Sequence, residues 1–192
     1  MDKENGLTTG GILSHTALFE IPAYHKKLLF MTDAAINVAP TVDEKAKILQ
    51  QTVAVANAVG MECPKVACIC AVEKVNTKHM PCTVDAAILQ AMNKRGQISN
   101  CVVEGPFGMD NAISHESCKI KKISGEVAGQ ADILLMPDIE AGNVAYKLIM
   151  EFASGKLAAI VSGASAPIVL TSRADNNETK FLSLALAIAV AK

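Results

Sequence analysis

Three short stretches carry the polar groups whose types and spacing could do chemistry. The most telling is Thr171-Ser172-Arg173-Ala174-Asp175. Of the 18 Lys and Arg residues, only Arg95 and Arg173 are arginines. Arg173 follows an apolar run and precedes a helical one, beside the hydroxyl of Ser172. A planar guanidinium next to helix-start amides is a receptor for phosphate or pyrophosphate. The competing reading is structural: Arg173 pairs with Asp175 or Glu178 and ties down the loop. On chemistry alone the two stay open.

The second stretch is Met136 to Asn143, leading into Tyr146 and Lys147. Asn143 and Lys147 lie one helical turn apart and can point to one side, while Gly142 permits a close backbone approach. The plainer reading, which this segment alone favours, makes Asn143 the helix cap and Lys147 a solvated charge. The third stretch, Val103 to Asp110, holds Glu104 and Asp110. They could pair for acid–base work, but Asp110 reads more simply as a helix N-cap. His15, in an apolar strand, reads as a hydrogen-bonded core residue. His115 and Cys118 stand three apart without a second ligand pair, so zinc is not expected. Cys63, Cys68 and Cys70 lack metal-ribbon or redox spacing. No dinucleotide, P-loop, nucleophile-elbow or zincin motif occurs.

The elements that must position these groups alternate in type. Strands are expected at 11–21, 27–33, 65–71, 100–105, 131–138, 158–163 and 167–172. Helices are expected at 41–60, 83–95, 114–121, 142–154 and 176–191. The helix at 41–60 is the best marked. Thr41 and Glu44 form a capping-box pattern, apolar residues recur at steps of three and four, and Gly60 stands at the stop. Gly96 closes the helix before it. Strand–helix alternation with continuous apolar strands predicts an α/β layer sandwich on a largely parallel sheet. In such sheets ligands bind beyond the carboxyl ends of the strands, where all three polar stretches fall. The last helix is almost without a polar face, so it is expected to be covered on all sides.

Composition narrows the class. The chain has 192 residues, 51% hydrophobic, and a formal net charge of −1. That length supports one well-buried domain or slightly more. With no Trp, two Tyr and scattered basic residues, there is no nucleic-acid footprint. The first eleven residues are polar, so no leader is expected, and the apolar run 181–191 is too short to span a bilayer. Cysteines inside apolar runs fit small buried hydrophobes of a reducing, cytoplasmic compartment rather than disulfides. No membrane partner is expected.

Several segments together resemble the phosphate acetyl/butyryltransferase family. They are SHTALFEI (14–21), TDAAINVAPT (32–41), VEGPFGMDNAIS (103–114), AGQADILLMPD (128–138), PDIEAGNVAYK (137–147) and PIVLTSRAD (167–175). The resemblance covers nearly the whole chain, and TDAAINVAPT and TSRAD are closer to the butyryl branch. It implies an isocitrate/isopropylmalate-dehydrogenase-like fold of three-layer α/β/α domains around a cleft, assembled as a homodimer or larger homo-oligomer. The implied reaction converts butyryl-CoA, or a similar short or branched acyl-CoA, and phosphate into acyl phosphate and CoA. Coenzyme A is then a substrate, with no tightly bound cofactor and no metal. The alternatives are a phosphate acetyltransferase, or a binding or oligomerisation module that has lost catalysis.

Carried over residue by residue, Ser172 and Arg173 meet CoA and phosphate, with Gly142, Asn143 and Lys147 as further substrate-binding residues. The acidic residue assigned to thiol activation in the acetyl branch falls here on Thr179, which leaves the thiol base unassigned. The family also implies about a hundred residues more at the N-terminus, roughly a small domain of chain. On that expectation residues 1–157 form the second domain, and 158–192 are the returning piece of an incomplete first.

Overall fold

In the computed structural model, residues 6–7, 9–25, 27–173 and 175–191 are described. Apolar residues alternate along each strand and so face two layers. β1 (Ser14–Glu20), β2 (Leu28–Thr32), β3 (Lys65–Ile69), β4 (Val102–Phe107), β5 (Ile133–Leu135) and β6 (Lys156–Ser162) form one sheet, ordered β4-β3-β5-β2-β1-β6. β2, β5, β3 and β4 run parallel, while β1 is antiparallel to both β2 and β6. The sheet is therefore mixed with mostly parallel strands.

One core lies under α1 (Val42–Ala58), α2 (Cys82–Lys94) and α6 (Asn177–Val190), where Phe30, Val66, Ile133 and Ile160 meet Ile48, Leu49, Leu89 and Leu186. The other lies under α3 (Met109–Ile113), α4 (His115–Lys121) and α5 (Ile139–Phe152). There Phe19, Met31, Ala67 and Leu134 meet Ala112, Cys118, Ala141 and Ile149. This is a three-layer α/β/α sandwich. Each large side chain buried in it is worth about 1.5–3 kcal/mol.

Local chemistry sets the helix ends. Thr41 and Glu44 make the full capping box of α1, and Gly60 follows at φ +91°. Gly96 follows α2 at φ +73°. α5 starts three residues earlier than its apolar period predicts, because the Asp138 carboxylate accepts from the Ala141 N–H and caps it. α3 had no counterpart among the expected elements. Five residues are too few to display a period.

Two expectations need correction. The run 167–172 is not a strand: it touches β6 only through a bridge between Val161 and Ile168. Pro167 has no N–H to extend that ladder, and the Ser172 N–H turns instead to the Asp175 carboxylate at 2.6 Å. Nor is α6 covered on all sides. It buries Thr179, Ser183 and Leu186 toward β6, whereas Phe181, Leu184 and Ile188 are 69, 53 and 75% exposed. The apolar residues lie all around the helix, but the sheet reaches only one side. Among the described residues, no helix is long and apolar enough to cross a membrane.

Candidate functional site

The antiparallel register of β1 on β2 pairs Ala17 with Met31. Two residues further along, it sets His15 opposite Asp33, whose carboxylate accepts from the His15 N–H at 3.1 Å. The Thr32 hydroxyl donates to the His15 carbonyl at 2.9 Å, so the backbone of His15 is held on both sides. The Asp33 carboxylate also accepts from the Ala35 and Ile36 N–H groups at 2.9 and 3.0 Å and from the Asn37 side chain at 2.6 Å. These bonds fold the chain leaving β2 into a tight loop.

α5 packs its first turns on that loop. A Cβ at Gly142 would run into the Asp33 carbonyl oxygen and lie 3.1 Å from the Ala34 Cα, so only glycine permits the approach. The Asn143 side chain donates to the Ala34 carbonyl at 3.1 Å. Asn143 is thus a clamp on the loop, and the cap is Asp138, which corrects the expectation that Asn143 caps the helix. One turn on, Tyr146 meets the His15 ring edge-on, with centroids 5.9 Å apart and planes at 65°. Burial, with the negative charge of Asp175, pushes the Tyr146 phenol up to about 12. It stays protonated at neutral pH.

The segment after β6 closes the other side. His15, Ala34, Ala35, Asn143, Tyr146 and Lys147 share a cavity of about 350 Å³ with Leu170, Thr171, Ser172 and Arg173. The two polar stretches, thirty residues apart in sequence, therefore face one space. Ser172 and Arg173 are exposed at its rim, as is Lys147. The loop tie expected as the alternative for Arg173 takes other partners. Asp175 accepts from the Ser172 N–H, and Glu178 pairs with Lys156 at 3.1 Å. Among the described residues Arg173 makes no ion pair with either acid. The first turn of α6 is not part of the cavity wall. Its Thr179 is buried, and the Thr179 N–H donates to the Asn176 side chain.

The remaining polar candidates have structural tasks. Glu104 accepts from the Glu126 and Val127 N–H groups at 3.1 and 3.0 Å. Asp110 pairs with Lys121 at 3.0 Å and is not the cap of α3, which is Gly108. The Cys118 thiol, buried, donates to the Asn111 carbonyl. His115 stands beside His25, with ring centroids 5.5 Å apart, on a second cavity of about 650 Å³. That cavity is larger, but its wall is mostly apolar, with Tyr24, Leu29, Ile113, Leu148 and Ile149, and among the described residues no Lys or Arg lines it. The smaller cavity is the one equipped for an anion.

His15 departs from its sequence reading. It is buried, at 5% exposure, but among the described residues its ring Nδ1 has no hydrogen-bond partner. Burial lowers the pKa of the imidazole, against the opposing pull of Asp33 and Asp175. Nothing in the spacing of the chain signals that His15, Asp33 and Tyr146 belong with Arg173. Only the β1–β2 register and the α5 contact join them.

Comparison with known proteins adds a separate line. The family model described as Phosphate acetyl/butaryl transferase matches residues 2–188. A probable phosphate butyryltransferase of Bacillus subtilis is 53% identical over 188 residues, covering 98% of this chain and 62% of that protein. A phosphate butyryltransferase of Clostridium acetobutylicum is also 53% identical, over 191 residues, covering 100% of this chain and 63% of that protein. The crystal structure of a branched-chain phosphotransacylase from Enterococcus faecalis superposes with a TM-score of 0.90 at 38% identity. It covers 99% of this chain and 67% of that one. The chain thus spans less than two thirds of the length of the two butyryltransferases.

Proposed function

The chain belongs to the phosphate acetyl/butaryl transferase family, and from that premise we propose that it transfers a short acyl group between coenzyme A and phosphate. The observation that carries the reading is the cavity that Arg173 and Ser172 share with Asn143 and Lys147. Direct transfer needs no protein nucleophile. It needs the phosphate charge neutralised and both substrates held in line. Arg173 and Lys147 supply two cationic groups at one rim, and the Ser172 hydroxyl adds a donor and acceptor. Gly142 and Asn143 fix the loop whose Ala34 and Ala35 line the same cavity.

The acyl group we propose is butyryl or a similar short or branched chain, supported by the names of the two butyryltransferases and of the branched-chain enzyme. The enzyme is proposed to work in the cytoplasm with CoA as substrate and no bound cofactor. We also propose a homodimer or larger homo-oligomer. In support, Val144, Leu148 and Phe152 on α5 are 59, 50 and 81% exposed, a row that isolated chains rarely leave open. The division into 1–157 and 158–192 is likewise a proposal, supported by the uncovered row of α6.

The test is release of CoA thiol from butyryl-CoA in the presence of phosphate, with acetyl-CoA compared alongside. A charge-assisted hydrogen bond is worth about 1.5–3 kcal/mol. Arg173→Ala is therefore expected to lower kcat/KM by roughly 10- to 150-fold, at about 1.4 kcal/mol per tenfold, and Arg173→Lys to recover part of it. Normal turnover in Arg173→Ala would remove the assignment. Absence of turnover in the unaltered chain would favour the binding-module reading.

A further inference from the structure

Acyl transfer from phosphate to CoA requires the thiol proton to leave, and the cavity carries a group able to take it. We infer that the His15 imidazole is the proton acceptor for the CoA thiol, an inference that rests on the proposed transferase reaction. In that direction the S–H proton passes to the His15 ring as sulfur attacks the acyl-phosphate carbonyl. The C–S bond forms and the C–O bond to phosphate breaks. The imidazolium then returns its proton to the departing phosphate oxygen. In the opposite direction phosphate gives up its proton to His15, which delivers it to the leaving thiolate. Protons and charges balance without any further reagent.

Three observations carry the inference. The His15 ring lines the same cavity as Ser172 and Arg173. Its Nδ1 is buried and has no hydrogen-bond partner among the described residues, although a buried polar atom left without one costs about 1–3 kcal/mol. Its backbone is held at both N–H and carbonyl by Asp33 and Thr32, and its ring is braced by Tyr146.

The charged and titratable groups around the ring are Asp33 at the end of β2, Tyr146 and Lys147 on α5, and Arg173 and Asp175 ahead of α6. Burial outweighs the two carboxylates and lowers the pKa of the ring. The imidazole is therefore neutral, the form that accepts a proton, across the neutral range. Asp33 positions the residue from the backbone side, accepting from its N–H.

The experiment is thioester formation from butyryl phosphate and CoA, followed against pH for the full chain and for His15→Gln and His15→Ala. General acid–base groups contribute about 10²- to 10⁴-fold. Both variants are expected to lose about 100-fold or more in kcat, with KM for CoA nearly unchanged. They should also lose the acid-side fall in rate, which in the unaltered chain is expected at a pH lower than the ordinary imidazole value because burial lowers the pKa of the ring. Free imidazole is expected to restore part of the His15→Ala rate. Full kcat in His15→Gln would overturn the inference and leave the transferase reading intact. So would a loss that keeps the acid-side fall and resists imidazole, since that is the mark of a structural role. If one variant does not fold, as judged by thermal unfolding, the other decides. An unaltered chain without turnover would defeat the reaction itself, and this inference with it.

Discussion

At the residue scale, the site is built from groups whose polar atoms are mostly satisfied, with His15 as the exception. Its unpartnered Nδ1 and its burial have a consequence apart from catalysis. The folded-state pKa lies below the unfolded one, so the unfolded chain binds the extra proton first as pH falls. Stability is then full above the unfolded value of about 6.5 and is lost progressively below it, toward the lower folded value. Thermal melts between pH 7.5 and 5 are expected to show a steeper fall for the unaltered chain than for His15→Gln. Parallel curves would mean that the ring reaches solvent when protonated. The chain's sequence could not disclose this. A lone histidine in an apolar strand looks the same whether its ring meets a carbonyl or a cavity.

At the element scale, what was legible depended on whether the signal was local. The α1 capping box, Gly60 and Gly96 are local signals, and the structure has each of them where the sequence places it. The Ile168–Leu170 run reads like a strand because apolar and β-branched residues give the same pattern along any extended segment. Whether it joins a sheet depends on the edge of β6 and on Pro167. Also invisible was the tie between α1 and α2. Lys45, 5% exposed, meets the Asp85 carboxylate at 2.7 Å across forty residues of sequence. Breaking a buried pair from one side costs about 3–5 kcal/mol, because the remaining charge is stranded. Asp85 keeps some contact with solvent, with its side chain 24% exposed. Asp85→Ala is therefore expected near the lower bound, about 3 kcal/mol by urea unfolding. Lys45→Met, which removes the buried charge, should cost less. Equal costs would show that the pair holds the helices by attraction rather than by avoiding a stranded ammonium.

At the scale of the whole molecule, the site draws on four segments that meet only through the fold. They are β1, the loop after β2, the first turns of α5 and the segment after β6. Sequence reasoning found the last two because Ser-Arg and Gly-Asn bear recognisable chemistry. It missed the first two because an alanine loop and a strand histidine do not. The same scale explains the open apolar rows on α5 and α6, since one sheet can cover only one side of each helix. The central claim is that the 350 Å³ cavity, not the larger apolar one beside His25 and His115, receives CoA and phosphate. Amide shift mapping by NMR during titration with CoA in phosphate buffer tests it most directly. The expected result is perturbation concentrated at His15, Ala34, Ala35, Asn143, Lys147 and Ser172. Perturbation centred instead on Tyr24, His115 and Leu148, with the Ser172–Arg173 segment unmoved, would contradict the account.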